Sequence, residues 1–438
     1  MSTVLRNVLF FAIMAGLIVF VGQFQSWNLS LSILNLCLIS AVMSLGVNIQ
    51  WGYAGLFNVG VMGFAAMGGL AAMLISVSPV PEAWSAGGFG VLVGLFIIIA
   101  TVLAAVFSYS RMAKSPLRMF LVVLISVIGY FILRNVVDPA TTAIEKVNPA
   151  ATGYLGGLGL PIILAWPVGG LFAGAVAWLV GKITLGLRTD YLAIATLGIS
   201  EIIVAVLKHE DWLTRGVKNV TGLPRPVPYE INLQKSDWFL SLAQRFDADP
   251  VTFSSIFVKL SYAALFTIVL LIVLGLSEKA LRSPWGRMMR AIRDNEVSAN
   301  AMGKDIKARH LQVFVLGSIV VGIAGAMLTT LDGQLTPSSY QPLRFTFLIW
   351  VMVIVGGSGN NWGAVLGGFV IWFFWIEAEP IGLWLMNVLT SGMAAESALK
   401  AHLIESAAHM RLMTMGIILL LALRFSPRGL IPEKVSRH

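Results

Sequence analysis

The sequence predicts an all-α fold: a polytopic helical membrane protein with about 10–12 transmembrane helices, some of them short or broken. Three observations predict it. Hydrophobic residues make up 57% of the chain and charged residues only 12%, with a mean hydropathy of +0.84; soluble domains carry about 25% charged residues. Apolar runs near the roughly 20 residues that cross a bilayer as a helix recur along the whole chain. The basic residues sit in the links between those runs, so the net charge of +9 reads as the positive-inside pattern and not as a nucleic-acid surface. Cys37, the one cysteine, lies in an apolar run and leaves no disulfide framework or cysteine metal cluster.

Arg6 followed by Val8–Val21 has the outline of a signal peptide, but GQFQSW after it offers no small-x-small cleavage site, so the segment is expected to stay as a first helix. Candidate spans are 7–24, 29–50, 54–77, 88–108, 117–133, 160–181, 190–207, 255–276 and 311–331, then a split region, 344–357 and 361–378, and a last span at 411–424. Basic clusters place Arg6, Arg111–Lys114–Arg118, Lys182–Arg188, the loop 278–310 and a tail with Arg424, Arg428, Lys434 and Arg437 on the inner side, with both termini cytoplasmic. Segments 134–158, 208–254, 332–343 and 379–410 then fall outside, and alternation holds if 344–357 and 361–378 each make a pass. Residues 85–155 read as an extra helical insertion, peripheral and lipid-facing, within a single transmembrane domain over 1–438.

The loop 278–310 is the longest polar run. Pro284 can open a helix after Ser283, and Gly303 is a natural stop. Arg290–Asp294 and Arg293–Glu296 are spaced to pair along one face. Trp285, Met288, Met289 and Ile292 form an apolar stripe on another, fit either to rest on lipid headgroups or to dock into a partner. Two further stretches stand out. In 45–72, Gly52, Gly55, Gly60, Gly63, Gly68 and Gly69 are too frequent for an undisturbed lipid-facing helix; they suit close helix packing or a broken segment beside a water-filled path. Glu201 lies about 17 Å along its span, close to the midplane, where a carboxylate costs about 2.5–3.5 kcal/mol on insertion scales. It is expected to be either a strut bonded to a neighbouring helix or a group lining a path, with Asn48, Tyr53 and Asn58 as candidate partners.

These stretches resemble the LivM-like branched-chain amino acid family of bacterial ABC-importer permeases. GRMMRAIRDNEVSANAMG (286–303) is similar to the family's cytoplasmic loop, matching its E-x-A-A-x-A-x-G pattern at Glu296, Ala299, Ala301 and Gly303, with Ser298 in place of an alanine. Leu45-Gly46-Val47-Asn48 and Gly52-Tyr53-Ala54-Gly55-Leu56 match a second signature. Leu187, Arg188, Asp190–Ile194, Thr196–Gly198 and Glu201–Ile202 match a third, the most specific. Weaker likeness runs through 313–340, 348–368 and 424–432, so that similarity covers 40–77 and 185–432. At 213–223, Arg215 stands where the family usually has a glycine.

The resemblance implies a permease subunit of an ABC importer for branched-chain amino acids in the bacterial inner membrane. Relatives that carry urea and short amides keep that alternative open. It implies a coupling helix with Arg287, Arg290, Arg293, Glu296, Ala299, Ala301 and Gly303 seated on a separate ATPase, and a translocation path near Asn48, Tyr53, Asn58, Thr196 and Glu201. The implied partners are a second, LivH-like permease subunit, two cytoplasmic ATPase subunits, a periplasmic substrate-binding protein and membrane lipid. A proton-coupled secondary transporter using Glu201 is the competing class. No Walker A motif or nucleophile–base pair is present, so no catalytic role or cofactor is expected. His402, Glu405 and His409 share a helical spacing that a metal could use, but they read more simply as a solvated outer face.

Overall fold

The computed structural model describes residues 3–149, 151–393 and 397–433; Lys434 and Arg437 of the basic tail lie outside the described residues. Among the described residues ten helices are long and apolar enough to cross a membrane, and two shorter apolar helices, Val61–Ser76 and Pro342–Gly356, accompany them. The chain is an all-α multi-pass membrane protein.

In chain order the helices are α1 (Thr3–Phe24), α2 (Trp27–Ala54), α3 (Val61–Ser76), α4 (Phe89–Arg111), α5 (Pro116–Lys146), α6 (Ala165–Thr184) and α7 (Thr189–His209). They continue with α8 (Pro250–Arg282), the short pair α9 (Pro284–Asp294) and α10 (Glu296–Ala301), α11 (Ile306–Asp332), α12 (Pro342–Gly356), α13 (Asn361–Leu389) and α14 (Met410–Phe425). α2 is the axis of the bundle. Its most apolar stretch is 83% buried, and α8, α11, α12 and α13 pack around it. α3 and α6 extend this core across α11.

Glycine makes the core tight. A Cβ at Gly68 would overlap the Gly322 carbonyl oxygen, and one at Gly325 would overlap that of Ala65, so α3 and α11 run backbone to backbone. Lipid tails are as apolar as leucine, so dispersion between close backbones has to supply much of the association inside a bilayer.

The glycine-rich run 45–72 is a broken helix, not two spans meeting at 50–54. α2 continues to Ala54, Gly55 caps it with φ +68, and residues 55–60 are non-helical before α3 begins. A second interruption, 357–360, separates α12 from α13 as expected for the split region. Both breaks lie at the end of the bundle that carries the 278–310 loop. The opposite end carries the antiparallel pair Val220–Thr221 with Gln334–Leu335.

Two expected outer loops start later than the prolines suggest. α5 runs on to Lys146 through Pro139, and α13 runs on to Leu389 through Pro380. An internal proline removes one hydrogen bond, but both tails have surfaces to pack on. Ile144 is fully buried beside Val80, Ala83 and Leu155, and Gly382 lies against Met410.

α4 and α5 form a hairpin within the stretch expected to be an insertion. They pack mainly on each other, and only 6% of their apolar stretches is buried. The hairpin's two ends meet, since Val80 N–H donates to the Leu155 carbonyl at 3.1 Å. Bridging residues 82–153 with a short Gly-Ser linker is therefore expected to leave a folded, detergent-stable protein. Size-exclusion chromatography would check it, and aggregation would show that the hairpin is structural.

Candidate functional site

The two breaks and the C-terminal segment meet in one polar junction. Asn48, fully buried on α2, donates to Asn361 Oδ1 at 3.1 Å, and its own Oδ1 accepts from Gly359 N–H at 2.8 Å. Tyr53 donates to Asn361 Oδ1 as well, and its hydroxyl lies 3.3 Å from the Ser277 carbonyl oxygen. Asn361 in turn donates to Glu278 at 3.0 Å. A backbone without water must find its partners internally, and these amides supply them where the helices stop.

A second set holds the loop 55–60. Gln50 donates to the Phe314 carbonyl at 2.9 Å and to Ser318 at 3.1 Å, and accepts from Asn58 at 2.9 Å. Asn58 Oδ1 accepts from Gly60 N–H, and Trp350 Nε1–H donates to the Asn58 carbonyl at 3.0 Å. Thr196 on α7 accepts from Val59 N–H at 3.1 Å. Asn48, Tyr53, Asn58 and Thr196 thus gather around the first break, but buried and bonded, as struts.

Glu201 does not join them. It lies on the exposed face of α7, in a crevice of about 730 Å³ shared with Lys208, Arg344, His409 and Arg411, and makes no hydrogen bond or ion pair among the described residues. The expectation that Asn48, Tyr53 or Asn58 partners it is corrected. One helical turn beyond Thr196 it is Ser200, the residue before Glu201, that faces α3, packed against Gly63.

The loop 278–310 folds as two short helices. Ser283 caps α9 through Gly286 N–H, with Pro284 at its first position, as the sequence predicts. Asn295 breaks the run and caps α10 through Ser298 N–H, and Gly303 follows at φ +74. The apolar stripe takes neither expected role. Met289 and Ile292 are buried and Trp285 and Met288 pack beside them, all against the chain's own core. The expected pairs Arg290–Asp294 and Arg293–Glu296 also do not form. Arg293 instead donates to the Gly52 carbonyl and pairs with Glu433 at 3.0 Å, with Arg290 3.9 Å from the same carboxylate. Arg293 also touches its neighbour Asp294 at 3.1 Å.

Glu433 sits at the end of a segment that caps the C-terminus of α12. Leu430 and Ile431 donate to the carbonyls of Val355 and Gly356 at 2.8 and 2.9 Å, and Asn360 donates to the Pro432 carbonyl at 3.1 Å. α9 is thereby tied through one guanidinium to the end of α2 and through one carboxylate to the end of α12. The family-matching residues divide accordingly. Arg290, Arg293 and Ala299 face inward, while Arg287, Glu296, Ala301 and Gly303 face solvent beside Val297 and Met302, which are 81% and 79% exposed. Gln50, Asn361 and Glu433 were not expected from the sequence. An amide inside an apolar run is the signal that marks the first two; nothing local marks Glu433.

The family described as branched-chain amino acid transport system / permease component matches residues 140–423. The chain belongs to this family. The matched region begins within α5, so the 45–72 break lies ahead of it. Similar proteins include the high-affinity branched-chain amino acid transport system permease protein LivM of Escherichia coli, 29% identical over 52% of this chain and 53% of its own length. The probable branched-chain amino acid transport permease protein LivM of Methanocaldococcus jannaschii is 25% identical over 67% of this chain and 74% of its own. The xylose transport system permease protein XylH of Escherichia coli is 22% identical over 54% and 49%. The chain spans about half the length of the Escherichia coli relatives it matches. No solved structure matches.

Proposed function

We propose that this family member is the permease subunit of an ABC importer that moves branched-chain amino acids across a bacterial inner membrane. In this reading the end with the 278–310 loop is cytoplasmic, and both termini lie on that side, in line with its basic residues. Two ATPase subunits dock there and hydrolyse the ATP, a second, LivH-like permease subunit completes the path, and a periplasmic binding protein delivers the substrate. The permease names of the relatives support the substrate class.

The observation that carries the reading is the short exposed helix α10 on the same end as both helix breaks. Val297 and Met302 present apolar side chains to solvent at a tip that no other described residue covers, and small residues such as Ala301 let a groove approach closely. α9 behind it carries Arg293, so a push on α10 is transmitted to the ends of α2 and α12. Alternating access then amounts to opening and closing the bundle at these two breaks.

Double substitution V297D/M302D is expected to abolish co-purification of the ATPase subunits and reduce uptake to background, with membrane insertion unchanged. Each buried apolar anchor is worth about 1.5–3 kcal/mol, and the added charges repel an apolar groove. Undiminished ATPase recovery would overturn the docking assignment. The secondary-transport alternative loses support from Glu201, which is exposed and makes no hydrogen bond or ion pair among the described residues. E201Q is expected to leave uptake within about twofold of wild type.

A further inference from the structure

A cavity of about 230 Å³ opens near the end opposite the loop, between α2, α3, α11, α12 and α13. Its walls are aliphatic or thioether side chains, Ile39, Met43, Met62, Leu328, Ile349 and Met352. Phe345 and four residues with polar groups, Ser40, Asp332, Ser339 and Trp372, also line it. Asp332 lies at the exposed mouth, the last residue of α11, with no hydrogen bond or ion pair among the described residues. A carboxylate there faces the negative end of its own helix dipole, which favours a cation instead. Inside, Ser40 of α2 is buried and carries no hydrogen bond among the described residues, and the indole Nε1–H of Trp372 on α13 is buried without an acceptor. A buried donor left unsatisfied costs about 1–3 kcal/mol, so the wall is short of an acceptor by the same logic that leaves the mouth short of a cation.

We propose that this cavity is a substrate site within the single subunit, taking one zwitterionic α-amino acid with a branched aliphatic side chain. The ammonium group is held by Asp332, the carboxylate accepts from Trp372 Nε1–H and Ser40 Oγ–H, and the side chain lies among Met43, Met62 and Met352. The inference rests on the amino-acid permease reading above and locates where the substrate pauses. The cavity falls below the roughly 300–1,000 Å³ of drug-sized sites, which suits a small solute. Both halves of the zwitterion are needed: an amine alone leaves Trp372 without an acceptor, and a carboxylic acid alone is repelled by Asp332. Net-charged amino acids would bring a further charge onto a floor with nothing to pair it.

The test is binding of L-leucine to the complete transporter in lipid nanodiscs without the binding protein, with 3-methylbutylamine and 4-methylpentanoate as competitors. Each competitor is expected to bind at least about tenfold more weakly than leucine, since each lacks one charge-assisted contact. D332N should weaken leucine and the amine at least about tenfold while leaving the acid unchanged or tighter. W372F should weaken leucine and the acid and spare the amine. This crossover separates a site from a folding defect, which would weaken all three ligands alike. Leucine binding unaltered in both variants, an equal loss for all three ligands, or competitors as good as leucine in the wild type would overturn the site. Wild-type vesicles that accumulate leucine while the variants bind it normally would sink the site alone. Vesicles that accumulate no leucine would overturn the permease reading together with it.

Discussion

E433Q and R293A are each expected to abolish coupled uptake while the transporter still assembles and still hydrolyses ATP. The Arg293 guanidinium bonds the Gly52 carbonyl and the Glu433 carboxylate, so it links the loop to the ends of α2 and α12 at once. Hydrogen bonds to charged groups contribute about 1.5–3 kcal/mol, and the pair is mostly shielded, at 23% and 18% side-chain exposure. A loss of that size shifts a two-state equilibrium by about one to two orders of magnitude. Basal ATP hydrolysis should persist, because α10 still docks, but its stimulation by substrate should disappear. The exchange R293E/E433R restores the ion pair though not the bond to Gly52, so partial recovery of uptake is expected. Normal uptake by E433Q would show that Arg290 and Arg293 serve packing alone. Uptake into reconstituted vesicles loaded with ATP, read beside phosphate release, checks the prediction.

G325V is expected to prevent folding altogether. The Ala65 backbone occupies the space a side chain would need, on a helix itself fixed by Gly68 against Gly322. Overpacking usually costs about 1–3 kcal/mol when side chains can yield; here the obstacle is backbone, and separating α3 from α11 would also expose the hydrogen bonds around 55–60. The natural control is G275A on the exposed flank of α8, where nothing lies within 4 Å. That change should be neutral or stabilising by up to about 1 kcal/mol through helix propensity. Detergent-solubilised fluorescence size-exclusion with a thermal ramp would compare the two. A G325V protein that melts like wild type would mean that the α3–α11 contact is looser than described.

Much of the fold was legible because hydrophobic length is a local property. The positions of the spans, the split at 357–360 and the caps at Ser283 and Gly303 all follow from residues within a few positions of the feature. What failed depends on neighbours distant in sequence. The spans expected to end at 133 and 378 run on because the surfaces that hold them past Pro139 and Pro380, around Val80 and Met410, lie elsewhere in the chain. Arg290 and Arg293 were assigned to nearby acids because spacing supplies only local partners; the acid they meet, Glu433, follows the last helix. Glu201 shows the same limit in another form. Its depth is set by counting residues, but the face it takes on α7 is set by Gly63 packing on Ser200. The buried amides Asn48 and Asn58 were legible as unusual, whereas their partners Asn361 and Gln50 came only with the fold.

The capping segment at Leu430–Ile431 has a consequence for biosynthesis. Residues 430–433 are translated after every helix they join, and they supply the donors for Val355 and Gly356 and the carboxylate for Arg293. Until they emerge, the membrane holds a bundle in which the Val355 and Gly356 carbonyls and the Arg293 guanidinium lack these partners. Closure of this junction therefore waits on residues 430–433, and a chain halted short of Leu430 would leave it open to quality-control proteases.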